Sequence, residues 1–299
     1  MKFNNKVSIV ITSYNRLADL KENLNNIKYI KYSNYEVIVV DNGSTDGSRE
    51  YLENYNNSLL KKIIIPTNKG PAYSHDIGMR SCNGEFIITI DDDCFLQPDV
   101  VTHTVEIFNK NPNLAAIGYG FMNPNILFNE KKFKYDYFNI NELIDINISY
   151  EPIIATSGAA FRKSSLEKIN YYDLNWFHVE DWELSLKLIA NGFNTIKISS
   201  LIAFHKSSPL NRDFESRRLH QIQGVVWIML KFYPIKYLIL NLTIFSFSTL
   251  FYFIFYRKFS YLLAFYQSLS SAKRILKNRK VIPKYIFKNM NKPQYTVFV

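Results

Sequence analysis

The sequence predicts an α/β protein with a mostly parallel central sheet that is flanked by helices. Short apolar runs alternate with stretches of helical periodicity through the first half of the chain. These runs are almost continuously apolar, which is typical of parallel strands buried on both faces. Polar or glycine-rich residues follow each run. Because ligands bind at the carboxyl ends of the strands in such sheets, we expect the functional residues in these loops.

The predicted strands and helices follow one another in a regular order. The strands lie at residues 7–12, 37–40, 63–65, 86–90 and 115–118. After the first strand, apolar residues recur at helical spacing: Leu17, Leu20, Leu24 and Ile27. A turn at 41–48 leads into a short helix that ends near Tyr55. Two later helices are predicted to begin at Pro71 and Pro98, because the fixed φ of proline suits a first helical turn.

The second half of the chain differs in composition. Residues 180–190 are predicted to form a helix that ends at Asn191-Gly192, a common carboxyl-terminal stop. From residue 201 onward there are 16 Lys and Arg against two acids, whereas the first 200 residues carry 20 basic and 24 acidic side chains. This change predicts a domain at 1–210 and a helical, basic region at 211–299. Such a tail needs an anionic partner or surface.

Three consecutive carboxylates, Asp91, Asp92 and Asp93, follow the apolar run at 86–90. Burying them together is costly without a cation, and a hard divalent ion shared with a diphosphate would relieve that cost. The alternative is a solvated acidic turn. The position at the carboxyl end of a strand favours the cation site.

Three other polar groups have ordinary structural explanations. Glu180 and Asp181 are either a general base and its neighbour or acids that cap the first turn of a helix. His205 is either a metal ligand or a half-buried core histidine. The turn at 44–48 is, by itself, a turn and a helix cap.

Two features indicate the compartment. Cys82 and Cys94 have neither metal-ligand nor redox spacing, which suits packed thiols in a reducing environment. Residues 1–6 are polar and have no apolar signal-peptide core, so we expect a cytoplasmic body.

Six segments occur together and in order, and in combination they resemble the inverting, GT-A-fold family 2 glycosyltransferases. The segments are VSIVITSYNR at 7–16, VVDNGSTDGS at 39–48, NKGPAYSHDIG at 68–78, GEFIITIDDD at 84–93, SGAAF at 157–161 and EDWEL at 180–184. The resemblance covers about residues 5–205. It implies a GT-A catalytic domain at 1–210 that transfers a sugar from a nucleoside-diphosphate donor to a hydroxyl of a glycan or lipid-linked acceptor.

The resemblance also implies roles for individual residues. Asp181 would be the catalytic base, with Glu180 and Trp182 at the acceptor. Asp93 would hold Mg²⁺ or Mn²⁺, with His205 as a further ligand. The residues expected to bind the nucleotide sugar are Thr12, Tyr14, Arg16, Asp41, Asn68, Lys69, Asp76, Asp91 and Asp92. One departure affects this donor site: relatives usually carry Arg and Asn where this chain has His75 and Asp76, which leaves the identity of the donor open.

The C-terminal region contains 20 uncharged residues at 237–256, with Lys236 before them and Arg257-Lys258 after them. That length can span a bilayer. Three arrangements compete: a buried helix, a single spanning helix, and a hairpin or interfacial helices on the cytoplasmic leaflet. We favour the last, because a single span would place the basic tail outside. The apolar stretch also argues for an anionic membrane rather than nucleic acid as the partner.

The stretch 212–234 resembles rhamnosyltransferase-type members of the family, which implies the assembly of cell-surface polysaccharide. An alternative function is a catalytically silent module that binds a nucleotide sugar or a glycan at the membrane. Nucleotidyl transfer is disfavoured, because it requires a Gly-rich, Arg-containing phosphate loop after the first strand, where this chain has Ser13-Tyr14-Asn15-Arg16.

Overall fold

The computed structural model describes residues 3–123, 148–149, 153–176, 178–206, 214–284 and 286–287. Within these residues, nine strands form one sheet. The strands are β1 Val7–Ser13, β2 Tyr35–Asp41, β3 Leu60–Ile64, β4 Phe86–Asp91, β5 Cys94–Leu96, β6 Leu114–Met122, β7 Ile148–Ser149, β8 Gly158–Arg162 and β9 Asn194–His205. The helices are α1 Leu17–Ile27, α2 Ser48–Asn54, α3 Pro71–Arg80, α4 Val100–Lys110, α5 Lys163–Ile169, α6 Glu180–Ala190, α7 Phe214–Phe232, α8 Ile235–Tyr256, α9 Phe259–Ser270 and α10 Ala272–Lys277.

One half of the sheet is parallel, in the order β3-β2-β1-β4. Strands β1 and β4 are buried on both faces, as their almost continuously apolar sequences predict. The register aligns the strand ends, since Thr12 lies opposite Asp91 and Ser13 opposite Asp41. Four predicted strands and the helices between them are therefore confirmed, and their polar ends meet at one edge.

The other half of the sheet is mixed. Strand β8 is antiparallel to both β4 and β6, while β6 runs parallel to β9. The short strand β5 follows the acidic triplet and pairs antiparallel with β9, so that Cys94 lies opposite His205. Pairing of β5 with β9 thus carries the end of β9 to the acidic triplet. Strands β5, β7, β8 and β9 were not predicted from the sequence.

The two cysteines are buried and free, which confirms the prediction of packed thiols. Residues 124–147 and 150–152 lie outside the described residues. The predicted boundary at residue 210 also lies outside them, and the division into two domains remains a prediction.

The C-terminal helices pack on the body through a second apolar cluster. Helix α7 contacts α6, and Trp227 on α7 meets the ring of Trp176 edge-on at 5.4 Å. Helices α8 and α9 form a hairpin on α7. Only 17% of the most apolar window of α8 is buried. Helix α8 is therefore not a core helix, which contradicts the buried-helix alternative.

Candidate active site

A cavity of about 230 Å³ opens at the carboxyl ends of β1 and β4. Six of the predicted donor-site residues line it: Thr12, Tyr14, Arg16, Asn68, Asp91 and Asp92. Four lining residues were not predicted: Ser13, Asn42, Pro71 and Ser74. The sheet therefore brings together residues that are separated by about 80 positions in the chain.

Asp41 and Asn42, at the end of β2, organise the loops beside this cavity, and Asn42 lines it. The buried Asp41 carboxylate accepts hydrogen bonds from the Ser44 backbone N–H at 3.2 and 3.3 Å. Asn42 donates from Nδ2 to Asn68 Oδ1 at 3.1 Å and accepts from the Lys69 backbone N–H at 3.0 Å. The side chain of Asn42 thus holds the 66–70 loop in place. Its position after a strand was visible in the sequence, but an amide that binds backbone leaves no motif.

The turn at Gly43 requires glycine. Its φ is +82°, and a Cβ there would lie 2.5 Å from the backbone nitrogen of Asn68. Only a residue without Cβ allows this close approach of the two loops. The position of Asn68 at the cavity depends on it.

Arg16 neutralises part of the acidic triplet. Its guanidinium lies 2.8 Å from Asp93 Oδ2 and 3.4 Å from Asp92 Oδ1. The Tyr14 backbone N–H donates to Asp92 Oδ2 at 3.3 Å. Asp92 and Asp93 are almost completely buried. The triplet is therefore not a solvated turn.

One oxygen or nitrogen atom from each of Asp91, Asp93 and His205 lies within 4.8 Å of the others. His205 Nε2 is 3.2 Å from Asp93 Oδ1. Carboxylate oxygens and an imidazole nitrogen are donors that suit Mn²⁺ or Mg²⁺. The donor chemistry of these residues therefore fits a divalent cation.

Burial raises the pKa of two carboxyl groups of the triplet. The pKa of Asp92 is raised to about 7, mainly by burial, although the nearby Arg16 opposes the rise. The pKa of Asp91 is raised to about 6 by burial first and then by the charge of Asp93, with a further contribution from Asp181. Clustered carboxylates of this kind are stabilised by a positive charge at the same place.

Asp181 lies in the first turn of α6, close enough to the acidic triplet for its charge to raise the pKa of Asp91. Asp181 Oδ1 accepts a hydrogen bond from Thr156 Oγ1 at 2.5 Å. Burial raises the pKa of Asp181, and the Thr156 hydroxyl opposes that rise. Burial and the charge of Asp181 raise the pKa of Glu180 to about 8. Thr156 precedes β8 and has no sequence signal that would link it to Asp181.

Trp182 and Asp76 lie away from the cavity lining. Trp182 packs, half-buried, against the C-terminal apolar cluster. Asp76 accepts a hydrogen bond from Arg80 Nε at 2.7 Å and one from the Tyr172 backbone N–H at 3.2 Å. His75, beside it, is buried with Nε2 3.9 Å from Asp91 Oδ1. Of this unusual pair, His75 is the residue that approaches the acidic triplet.

The profile of the glycosyl transferase family 2 matches residues 8–170. The chain belongs to this family. It is 26% identical over 190 residues to the poly-β-1,6-N-acetyl-D-glucosamine synthase of Staphylococcus epidermidis, covering 61% of this chain and 45% of that synthase. It is also 26% identical over 204 residues to an uncharacterized glycosyltransferase of Haemophilus influenzae, covering 66% of this chain and 67% of the relative.

Solved glycosyltransferases share the GT-A fold of this family 2 chain. A mannosyltransferase from Pyrobaculum calidifontis, in complex with GDP-Man and Mn²⁺, aligns with a TM-score of 0.57 and 21% identity over 75% of this chain and 63% of that chain. S. aureus TarS 1–349 aligns with a TM-score of 0.61 and 16% identity over 92% and 83%. At these identities the likeness establishes the fold alone.

Proposed function

We propose that this family 2 enzyme is a metal-dependent, inverting glycosyltransferase with a nucleoside-diphosphate sugar donor. The observation that carries the proposal is the meeting of three candidate ligands, Asp91, Asp93 and His205, at the edge of the donor cavity. The mannosyltransferase with a similar fold was solved with GDP-Man and Mn²⁺. A nucleotide sugar and a cation therefore fit the chemistry of this cavity.

In this proposal the donor lies along the carboxyl ends of β1, β2 and β4. Tyr14 and Thr12 contact the nucleotide from one side, and Asn68 and Lys69 approach from the 66–70 loop. Asp41 holds the turn after β2, since its buried carboxylate accepts from the Ser44 backbone N–H. Asp76 serves indirectly, through its bonds to Arg80 and Tyr172.

Asp91, Asp93 and His205 would hold Mg²⁺ or Mn²⁺. A cation bound there supplies Lewis-acid stabilisation of the negative charge that grows on a departing diphosphate. Arg16 contributes a fixed positive charge beside it, 2.8 Å from Asp93. Together they favour departure of the nucleoside diphosphate without a covalent intermediate.

Asp181 acts as the general base in this proposal. Its carboxylate removes the proton from an acceptor hydroxyl, which then attacks the anomeric carbon from the face opposite the diphosphate. Thr156 fixes the orientation of the carboxylate through its hydrogen bond. Glu180 contributes to the acceptor side, while Trp182 supports the first turn of α6 from the C-terminal cluster.

We further propose that the acceptor is a growing glycan or a lipid-linked glycan in the synthesis of cell-surface polysaccharide. The name of the S. epidermidis relative, a poly-β-1,6-N-acetyl-D-glucosamine synthase, supports this class. The C-terminal region at 211–299 would hold the catalytic domain, 1–210, at the inner face of the cell membrane. Helix α8 supports this location, since it is the one helix in the described chain long and apolar enough to cross a membrane.

Two substitutions test the proposal. Asp93→Asn and Asp181→Asn should each lower transfer by about 10² or more, because they remove a cation ligand and the base. Asp99→Asn is the matched control. It removes the same charge from a side chain that is 39% exposed. Transfer is measured with the preferred donor and acceptor, and circular dichroism verifies the fold.

A thermal-shift screen identifies the donor and separates the alternatives. Nucleoside diphosphates and their sugars, each with Mn²⁺ or Mg²⁺, should raise the Tm of the native protein and not of Asp93→Asn. Full turnover by both substituted enzymes would refute the proposal. Metal-dependent nucleotide binding without any turnover would instead identify a silent binding module.

A further inference from the structure

A second cavity, of about 560 Å³, lies between the catalytic body and the C-terminal helices. We name it the seam cavity. It is lined by Arg80, Ile169, Asn170, Tyr172, Asp173, Leu174, Asn175, Lys187, Ala190, Asn191, Lys231, Phe232, Arg274, Ile275, Asn278 and Lys280. None of these residues lines the donor cavity. The seam cavity is therefore a separate place for a ligand.

The two cavities lie at opposite ends of the same helices. Ser74, near the start of α3, lines the donor cavity, whereas Arg80 at its end lines the seam cavity. Asp181 begins α6, and Ala190 ends it at the seam cavity. A helix rises 1.5 Å per residue, so these two ends of α6 are about 13 Å apart. One sugar residue cannot fill both cavities.

Cationic side chains converge on the seam cavity. Five of them line it, from both sides of the seam, against the single carboxylate of Asp173: Arg80, Lys187, Lys231, Arg274 and Lys280. Two further acids stand behind the wall, where Asp76 binds Arg80 at 2.7 Å and Glu183 binds Lys231 at 2.7 Å. Five positive charges thus face three negative ones.

The uncompensated charge lies on the C-terminal side. In the described part of the chain, neither Arg274 nor Lys280 has a carboxylate within 4.0 Å. Arg274 lies over the ring of Trp227 at 4.7 Å, and Lys280 Nζ donates to Asn191 Oδ1 at 2.5 Å. Both side chains are therefore held in place at the cavity wall, without a carboxylate partner among the described residues.

Inside the cavity, the two lysines already have acidic neighbours. Lys231 is 5% exposed and lies near Lys187, whose pKa is lowered by burial and by the charge of Lys231, against the opposing effect of Glu183. Lys187 Nζ donates to the Tyr171 carbonyl at 2.6 Å, which fixes its position. Glu183 lies 2.7 Å from Lys231 and 4.0 Å from Lys187, and Asp173 lies 3.5 Å from Lys231, so the excess positive charge of the cavity comes from Arg274 and Lys280.

Apolar side chains form the rest of the wall, namely Ile169, Leu174, Ala190, Phe232 and Ile275. Leu276 and Val281, next to the cavity in sequence, are exposed apolar residues at 42% and 44%. A ligand with a compact multivalent anion beside an apolar group matches such a wall. Phosphate esters have this character.

We propose that the seam cavity binds a phosphate group, contributed by a phospholipid headgroup or by a soluble phosphate compound. Arg274 and Lys280 contact the phosphate, and Lys187 and Lys231, paired with Glu183 and Asp173, form the wall behind it. This site is distinct from the donor cavity and depends neither on its metal nor on turnover.

The first experiment measures binding of inorganic diphosphate by calorimetry, with EDTA present to suppress cation-dependent binding in the donor cavity. The double variant Arg274→Gln/Lys280→Gln should weaken binding by about tenfold or more, because it removes two charge-assisted hydrogen bonds. The matched control is Lys273→Gln/Lys277→Gln. It removes the same charge from exposed positions that do not line the cavity, and it should change the affinity less than about twofold.

A second arm identifies the source of the phosphate. Sedimentation with phosphatidylcholine vesicles is compared with and without phosphatidic acid. We call Arg274→Gln/Lys280→Gln the cavity pair and Lys273→Gln/Lys277→Gln the control pair. A lipid headgroup is identified if retention on the vesicles requires phosphatidic acid and is lower for the cavity pair than for the control pair. Diphosphate binding that discriminates between the pairs, with equal vesicle retention of both, identifies a soluble phosphate compound.

Two outcomes would overturn the proposal. In one, the cavity pair and the control pair weaken every probe equally, as bulk electrostatics predicts. In the other, the native protein binds neither probe. Because Arg274→Gln also removes the contact with Trp227, the single variant Lys280→Gln separates loss of charge from loss of packing. Lys280→Gln should weaken phosphate binding more than Lys277→Gln does.

Discussion

Burial and hydrogen bonding shift the pKa of Asp181 in opposite directions. Burial raises its pKa, because the charged form loses hydration, and the Thr156 hydroxyl lowers it by donating to that charged form. A general base must be deprotonated, so activity in the proposed mechanism increases with pH as Asp181 ionises. Thr156 therefore extends the active range toward lower pH.

Thr156→Val tests this role. The substitution removes the hydroxyl, so the pKa of Asp181 should rise and the acid limb of kcat/KM should move to higher pH. Thr156→Ser keeps the hydroxyl and should restore the native limb. The measurement is the profile of kcat/KM against pH with saturating cation. A limb that stays in place while the rate falls uniformly would mean that Thr156 contributes only packing.

At the scale of elements, the start of α6 depends on close packing against α7. Val179 has φ +58°, a conformation that a β-branched residue rarely adopts, and it directly precedes Glu180 and Asp181. A Cβ on Gly224 of α7 would lie 2.2 Å from Val179 Cγ2 and 2.9 Å from the His178 carbonyl oxygen. The absence of a side chain at Gly224 therefore lets α7 support the strained turn.

Gly224→Ala should destabilise the protein, although alanine normally favours a helix interior. We expect a loss of about 1–3 kcal/mol from overpacking, together with lower transfer because the Asp181 turn shifts. Val179→Ala removes the nearest clashing atom, so the double variant should regain part of both losses. Urea denaturation of the four proteins completes a double-mutant cycle. Additive losses would show that the two residues do not compete for the same space.

Elements that carry their own pattern were predictable from the sequence, and elements defined by pairing were not. The apolar run of β4 and the periodicity of α1 depend on local sequence alone. The three residues of β5 are too few for any period, and they become a strand only because β9 lies beside them. His205 was proposed as a metal ligand through the family resemblance. Its position 3.2 Å from Asp93 follows from the pairing of β5 with β9, which the sequence does not show.

The whole molecule has two surfaces of different character. The donor cavity and the acidic triplet occupy one edge of the sheet, while the C-terminal hairpin presents large apolar side chains to solvent. On α8 the most exposed of them are Ile235, Ile239, Phe247, Ile254, Phe255 and Tyr256, each at least 60% exposed. A row of large exposed apolar side chains along one helix marks an interaction surface. The basic residues after the hairpin suit an anionic membrane beside it.

Membrane association through α8 gives the last prediction. Ile239→Gln, Phe247→Gln and Phe255→Gln combined should abolish retention on anionic vesicles, because they remove apolar area that contributes roughly 25 cal/mol per Å² on burial. Turnover with a soluble acceptor should persist, since none of the three lies near the donor cavity. A control with Thr243→Gln and Ser246→Gln adds amides to the same helix without removing large apolar groups. If the triple variant were retained as well as this control, α8 would not be the membrane contact, and the exposed face would have to bind a protein instead.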